Sequence, residues 1–392
     1  MKLRFLWIAF MMCFLIFCPI VSAQKPVTLR LSLYELVPDQ DRFVTAIGNE
    51  WNKRHPDIPL EFVDWDCYSG ELPDDLDVFV YDAIFFYPFL EQGRLLPLTA
   101  DEIENREDLF AYALDAAAVD GRFYGIPQML CSDFLFTRKD DTEMAEIDSI
   151  PELYEVLGKV DANKAFPSEN EGLLINITDD AAMNIMYIQA LADAEQTVDR
   201  AELFPIDPDH LSAEAVDSIT MIRDMAGIAQ MPWTPEDSSL PFNSGKAFME
   251  GIGRAYINVS ESMARMGDEA QNMDVRLFSM TDDNDIPLFF ADYASVSANI
   301  SEDKKDLAIE LVNVITGTEV MVNALSPAVS GQTYQYLLPA RKSVFDAVSE
   351  TDQLYAQFRD IVTNSDIRLY FIPYDVFIPL YETQIIKALL TE

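Results

Sequence analysis

Apolar and polar residues alternate over Val27, Leu29, Leu31 and Leu33, which is the period of a strand, and the run ends at Tyr34. After a turn through Pro38 and Asp39 the period changes. Phe43, Val44, Ile47 and Trp51 fall on one face of a predicted helix that stops at His55-Pro56. Leu60 to Trp65 reads as a second strand and Asp77 to Asp82 as a third, whose nearly continuous apolar run suits a strand covered on both faces. The segment FFYPFLEQG then turns the chain into a helix closed by Gly93. Strand, helix, strand, strand, helix with short links predicts an α/β domain, and in such sheets ligands gather at the carboxyl ends of the strands. Tyr34, Cys67, Tyr68 and Asp82 lie at or just beyond those ends.

From about Glu143 to Asp283 helical patterns dominate, with a helix predicted over Ala213 to Ala226 and a strand over Gly253 to Ser260. Strand character returns over Ile286 to Ala298, and Leu307, Leu311, Val312 and Ile315 make a helical stripe with Ser301 as its cap. This order predicts two lobes joined by several crossovers. One comprises residues 24–131 and 287–330 and the other 132–286 and 331–392, with a cleft between them that can close on a ligand.

The first 23 residues change the picture of where this chain works. Lys2 and Arg4, an apolar run from Phe5 to Phe17 and Val21-Ser22-Ala23 have the layout of a secretory signal, too short to span a bilayer. A soluble secreted or periplasmic protein of about 370 residues is expected, enough for two domains. Acidic residues number 67 against 27 basic, a formal charge of -40, which excludes a nucleic-acid partner and repels anionic membranes. No heptad or apolar edge calls for a second copy, so a monomer is expected. Two histidines, and no CxxC, GxGxxG, P-loop or GxSxG motif, give no zinc site, nucleotide cofactor or serine triad; no cofactor or metal is expected.

With the signal removed, two cysteines remain, Cys67 and Cys131. A thiol is unusual in an exported chain. Residue by residue there are plainer readings: a cysteine in an apolar strand is ordinarily a small buried hydrophobe, Glu261 a solvated carboxylate at a helix start, and Asp82 the cap of the next helix.

The segments LPDDLDVFVYDAIFFYPFLEQGRLLPL, YGIPQMLCSDFLFTRK, GLLIN, GRAYINVSESMARMGD, IPLFFADYASV and QYLLPAR, taken together and in this order, resemble thiaminase I, the secreted thiamine pyridinylase family. The likeness covers nearly the whole mature chain. That family resembles two-lobed, type II periplasmic binding proteins in fold. The resemblance implies that Cys131 is a nucleophile that adds to the pyrimidine of thiamine, and that Glu261 in SESM is the base that activates it. It implies that Asp82 and Asp292 hold the pyrimidine nitrogens and that Tyr34, Tyr68, Phe242 and Phe290 supply aromatic faces. The substrates implied are thiamine and an amine or thiol.

Phe242 and Phe290 stand where tyrosine is expected and Val259 where another aromatic is, so stacking is kept and phenolic hydrogen bonds are lost. Cys67 stands where serine is more usual. It is either a passive small residue or a partner for Cys131 under oxidation. A solute-binding protein of the same fold that captures thiamine, a pyrimidine or another cation unchanged is the alternative reading, since one scaffold hosts both functions.

Overall fold

The computed structural model describes residues 27–68, 71–161, 167–175, 180–197, 206–207, 210–226, 240–281, 287–364 and 367–369. Its strands in chain order are β1 (Leu29–Ser32), β2 (Leu60–Phe62), β3 (Val78–Asp82), the hairpin β4 (Ala118–Val119) and β5 (Arg122–Phe123), β6 (Ile126–Cys131), β7 (Asp133–Arg138), β8 (Glu169–Leu174), β9 (Gly253–Val259), β10 (Met273–Arg276), β11 (Leu288–Val296), β12 (Leu338–Pro339) and β13 (Arg368–Leu369). The larger sheet has the order β12-β6-β11-β3-β1-β2, with β13 also on β11; the smaller has the order β10-β7-β9-β8.

In the larger sheet β1, β2 and β3 run parallel, while β11 is antiparallel to both β3 and β6. The carboxyl ends of β1, β2, β3 and β6 therefore point the same way. Val78, Phe79, Val80 and Tyr81 are all buried, as the apolar run of β3 requires of a strand inside a sheet covered on both faces. Helix Gln40–Arg54 buries Phe43, Ile47 and Trp51 of its predicted stripe, with Ala46 buried beside them and Val44 only partly covered; each large buried side chain contributes about 1.5–3 kcal/mol. Helix Glu302–Ile315 also follows the pattern, but Ser301 at its N-cap makes no side-chain capping bond.

The chain leaves the larger sheet after Cys131 and starts β7 of the smaller sheet at Asp133. The single residue between them is pinned: the buried Ser132 hydroxyl donates to the Leu288 carbonyl at 2.8 Å, where the chain re-enters the larger sheet. Of residues 331–392, expected in the second lobe, the two described strands lie in the larger sheet. Leu338 and Pro339 pair with Leu130 and Met129, covering the β6 edge, and β13 pairs with β11. An uncovered β6 would present unpaired backbone groups. Contact with the smaller sheet comes later, when Gln357 on helix Gln353–Asn364 accepts from the Val275 N–H and donates to the Met273 carbonyl.

Candidate active site

Strand register assembles one side of the site. Asp292 on β11 is directly opposite Asp82 on β3, and Phe290, two residues earlier, is opposite Cys131 on β6. Paired residues and residues two apart share a sheet face. Cys131, Phe290, Asp292 and Asp82 therefore share one face at the carboxyl ends of β3 and β6. A register shift at Asp292/Tyr293 marks a bulge that leaves an extra residue on β6 next to Pro127, a proline strands tolerate at such irregularities.

Loops after β1 and β2 complete this side. The Tyr34 and Tyr68 hydroxyls are 3.0 Å apart, and the Tyr68 hydroxyl donates to an Asp82 carboxylate oxygen. The other Asp82 oxygen accepts from the Ile84 N–H at 2.9 Å, so Asp82 does cap the turn that follows it. Tyr68 is 45% exposed, rests edge-on against Phe85 and leaves an aromatic wall open to solvent. Cys67, the residue before it, is buried, and that burial pushes its thiol up. Both thiols are free, so no Cys67 to Cys131 bond is present.

Glu261 comes from the other sheet. It lies in the 3-10 turn Ser260–Arg265 after β9, and five of the six residues of that turn are buried. Helix Leu240–Met249 packs against the turn so closely that a Cβ at Gly245 would lie 2.3 Å from the Ser262 carbonyl oxygen; only glycine fits. Polar contacts support the turn from behind. The Ser244 and Tyr256 hydroxyls are 2.6 Å apart, Asn258 donates to Ser244 at 3.0 Å, and Ser262 donates to the Val259 carbonyl at 2.6 Å. Phe242 belongs to this helix, but its side chain lies outside the described residues.

The electrostatics are those of carboxylates crowded away from water. Burial raises the Glu261 carboxyl from 4.5 to about 7, against hydrogen bonds from its own N–H and from Ser260, with Asp133 raising it further. Burial also raises Asp292 well above the usual range, helped by Asp82 and Glu261. Asp82 is raised by burial too, opposed by its bonds from Ile84 and Tyr68. The Cys131 thiol is pushed well up by burial first, then by Glu261, Asp133, Asp292 and Asp82. At rest it is a thiol, and attack needs a base that accepts its proton during bond formation.

Seven of the eight predicted site residues thus fall in the described part, and six of them, Tyr34, Tyr68, Asp82, Cys131, Glu261 and Asp292, are joined by hydrogen bonds or electrostatic contact. Phe290 is placed beside Cys131 by register alone. A groove of about 740 Å³ lined by Asp39, Arg42, Asn49 and Gln332 lies elsewhere and contains none of them. The histidines stay apart from the site: His55 bonds Glu310 at 2.8 Å and His210 bonds Asp207 at 2.7 Å.

The chain is 37% identical over 350 residues, 89% of its length, to the thiaminase-1 of Paenibacillus thiaminolyticus, 84% of which is covered. It belongs to the thiaminase I family. The family's Thiaminase-1 domain matches residues 132–281, the stretch that builds the smaller sheet and the Glu261 turn. The structure is similar to that of Clostridium botulinum thiaminase I in complex with thiamin, with a TM-score of 0.87 and 35% identity, covering 93% of this chain and all of that one. The GacH receptor of Streptomyces glaucescens shares the two-lobed fold at a TM-score of 0.65 and 16% identity, over 92% of this chain and 94% of its own.

Two further residues bear on this candidate site, and the sequence reading gave neither of them a role. Asp133 carries a signal in hindsight, an acid two positions from a thiol. Gly245 carries none, because its importance depends on a neighbour 17 residues away along the chain.

Proposed function

We propose that this thiaminase I family member cleaves thiamine by covalent catalysis at Cys131, with Glu261 as general base. As the Cys131 sulfur bonds to ring carbon C6 of the aminopyrimidine, its proton passes to Glu261. The ring's displaced electron pair expels the thiazolium nitrogen from the bridging methylene, and the thiazole leaves neutral. An amine or thiol then adds to the methylene, releasing to solvent any N–H or S–H proton it carries, electrons return to the ring, and the bond from the Cys131 sulfur to C6 breaks. Glu261 returns its proton to the thiolate. One difficult displacement becomes several easier steps.

The observation that carries this reading is the meeting of a thiol from the larger sheet with a carboxyl from the smaller sheet that titrates at about 7. Such a group is half ionised at neutral pH, suited to accept a proton and to give it back. Asp82 and Asp292 suit the pyrimidine. A pair in which one carboxyl keeps its proton can accept from the amino group with one member and donate to a ring nitrogen with the other. Tyr34, Tyr68, Phe242 and Phe290 are the aromatic surfaces for the flat ring, each ring pair contributing about 0.5–1.5 kcal/mol beyond burial. Within the same reading residues 1–23 direct export and are removed, and the mature protein acts as a monomer.

Incubation with thiamine and aniline or pyridine, followed by measuring thiamine loss, tests the proposal. Wild type should consume thiamine and Cys131→Ser should not. A wild type that binds thiamine and leaves it intact would support the solute-binding alternative, and equal turnover by Cys131→Ser would exclude the thiol mechanism. Mass spectrometry of exported protein should give a chain beginning at Gln24, and light scattering a single-chain mass.

A further inference from the structure

Asp133 is the first residue of β7, and only Ser132 separates it from Cys131. Across the smaller sheet its ladder partner is Val259, two residues before Glu261. It is half-buried. It stands where the strand that delivers the thiol and the strand that leads to the base come together. The four charges that act most strongly on Cys131 are Glu261, Asp133, Asp292 and Asp82, all carboxylates. Around Glu261 the titratable neighbours are Cys131, Asp133, Asp292 and Tyr256. Lys246 on the packed helix and Arg265 in the same turn are both exposed to solvent.

We propose that Asp133 is a positioning residue for the proton transfer: its carboxylate, set between the thiol strand and the Glu261 turn, keeps Glu261 able to accept and hold the Cys131 proton at neutral pH. The inference rests on the roles proposed above for Cys131 and Glu261. The thiol proton moves to Glu261 and the sulfur lone pair forms the bond to carbon. Buried beside a second negative charge, Glu261 is a stronger proton acceptor than burial alone would make it. Asp133 raises it in that sense, as it raises the thiol.

Asp133→Asn removes the charge at nearly constant shape. With thiamine and pyridine, the acidic limb of the kcat/KM profile should move down by about 0.5 to 1 pH unit, and Asp133→Glu should return it toward wild type. Alkylation of Cys131 by iodoacetamide at pH 7.5, followed by peptide mass spectrometry, should quicken about three-fold, because one charge opposing the thiolate is gone. A merely structural aspartate would move neither. If the asparagine variant does not fold, as judged by circular dichroism, Asp133→Ser serves for the same comparison. An active wild type whose folded variant keeps the same acidic limb overturns the proposal whatever the alkylation rate does. A wild type inactive toward thiamine defeats the functional reading instead.

Discussion

The two halves of the candidate site are held by different means. Asp82, Cys131, Phe290 and Asp292 stand on paired strands of the larger sheet, where backbone hydrogen bonds and register determine which side chains share a face. Glu261 stands on an irregular turn that makes no ladder, and a helix pressed against it through Gly245 holds it in place. The first half tolerates changes that keep strand pairing. The second depends on the close approach at Gly245 and on the hydroxyl contacts behind the turn, and its carboxyl is costly to keep ionised in the folded protein. Binding is therefore expected to be robust and the proton transfer fragile.

The sharpest test of that contrast is Glu261→Gln, which should lower kcat/KM by about 10²- to 10⁴-fold and abolish the acidic limb near pH 7, while changing thiamine affinity little. A comparable loss of affinity would show that Glu261 belongs to the binding half.

The same substitution reports on stability. Burial raises the Glu261 carboxyl from 4.5 to about 7, so the folded state keeps a proton that the unfolded chain has given up between those values. Stability therefore falls as pH rises from about 4.5 to 7 and stays lower above. At pH 8 Glu261→Gln should be more stable than wild type by about 3 kcal/mol, and at pH 4 the two should agree. Urea unfolding at both pH values measures it; equal stability at pH 8 would mean that the carboxyl is solvated.

Asp292→Ala tests the sheet half. Loss of its hydrogen bond, with the pyrimidine group left unpaired, costs about 1–3 kcal/mol and should raise KM about 10- to 100-fold, with a smaller change in kcat. Gly245→Ala should do the reverse, lowering kcat about 10-fold with KM nearly constant and costing about 1–3 kcal/mol in stability, as its methyl group pushes the Ser262 carbonyl and the turn away. Steady-state kinetics on both variants separates the halves; a Gly245→Ala enzyme altered only in KM would contradict the division. The smallest effect is expected of Tyr68→Phe, a few-fold rise in KM from losing its bond to Asp82 on a wall that is already partly wetted.

Much of the larger sheet was legible in the chain. The alternation over Val27 to Leu33 and the apolar run before Asp82 reappear as β1 and β3, and the stripe from Phe43 to Trp51 as a helix face. Local period suffices there because each element buries one face or both. Leu338–Pro339 was not legible as a strand, since it is too short to carry a period and is one only because the β6 edge lies beside it. Among the candidate site residues, Cys131, Glu261, Asp82 and Asp292 were singled out through their motifs. By themselves the residues favoured plainer roles for the first three.

The sequence by itself determined the strand and helix faces, the excess negative charge and which side chains could do chemistry, because those are properties of residues and of their spacing. Only the tertiary structure decided which of them act on one another. Asp82 became the neighbour of Asp292, 210 positions away, through strand pairing. Glu261, in the turn after β9, acts electrostatically on Cys131 at the end of β6, and its carboxyl moved to about 7 because folding took it out of water. A carboxyl's affinity for its proton depends on the surroundings that the fold builds, and no local reading of SESM contains them.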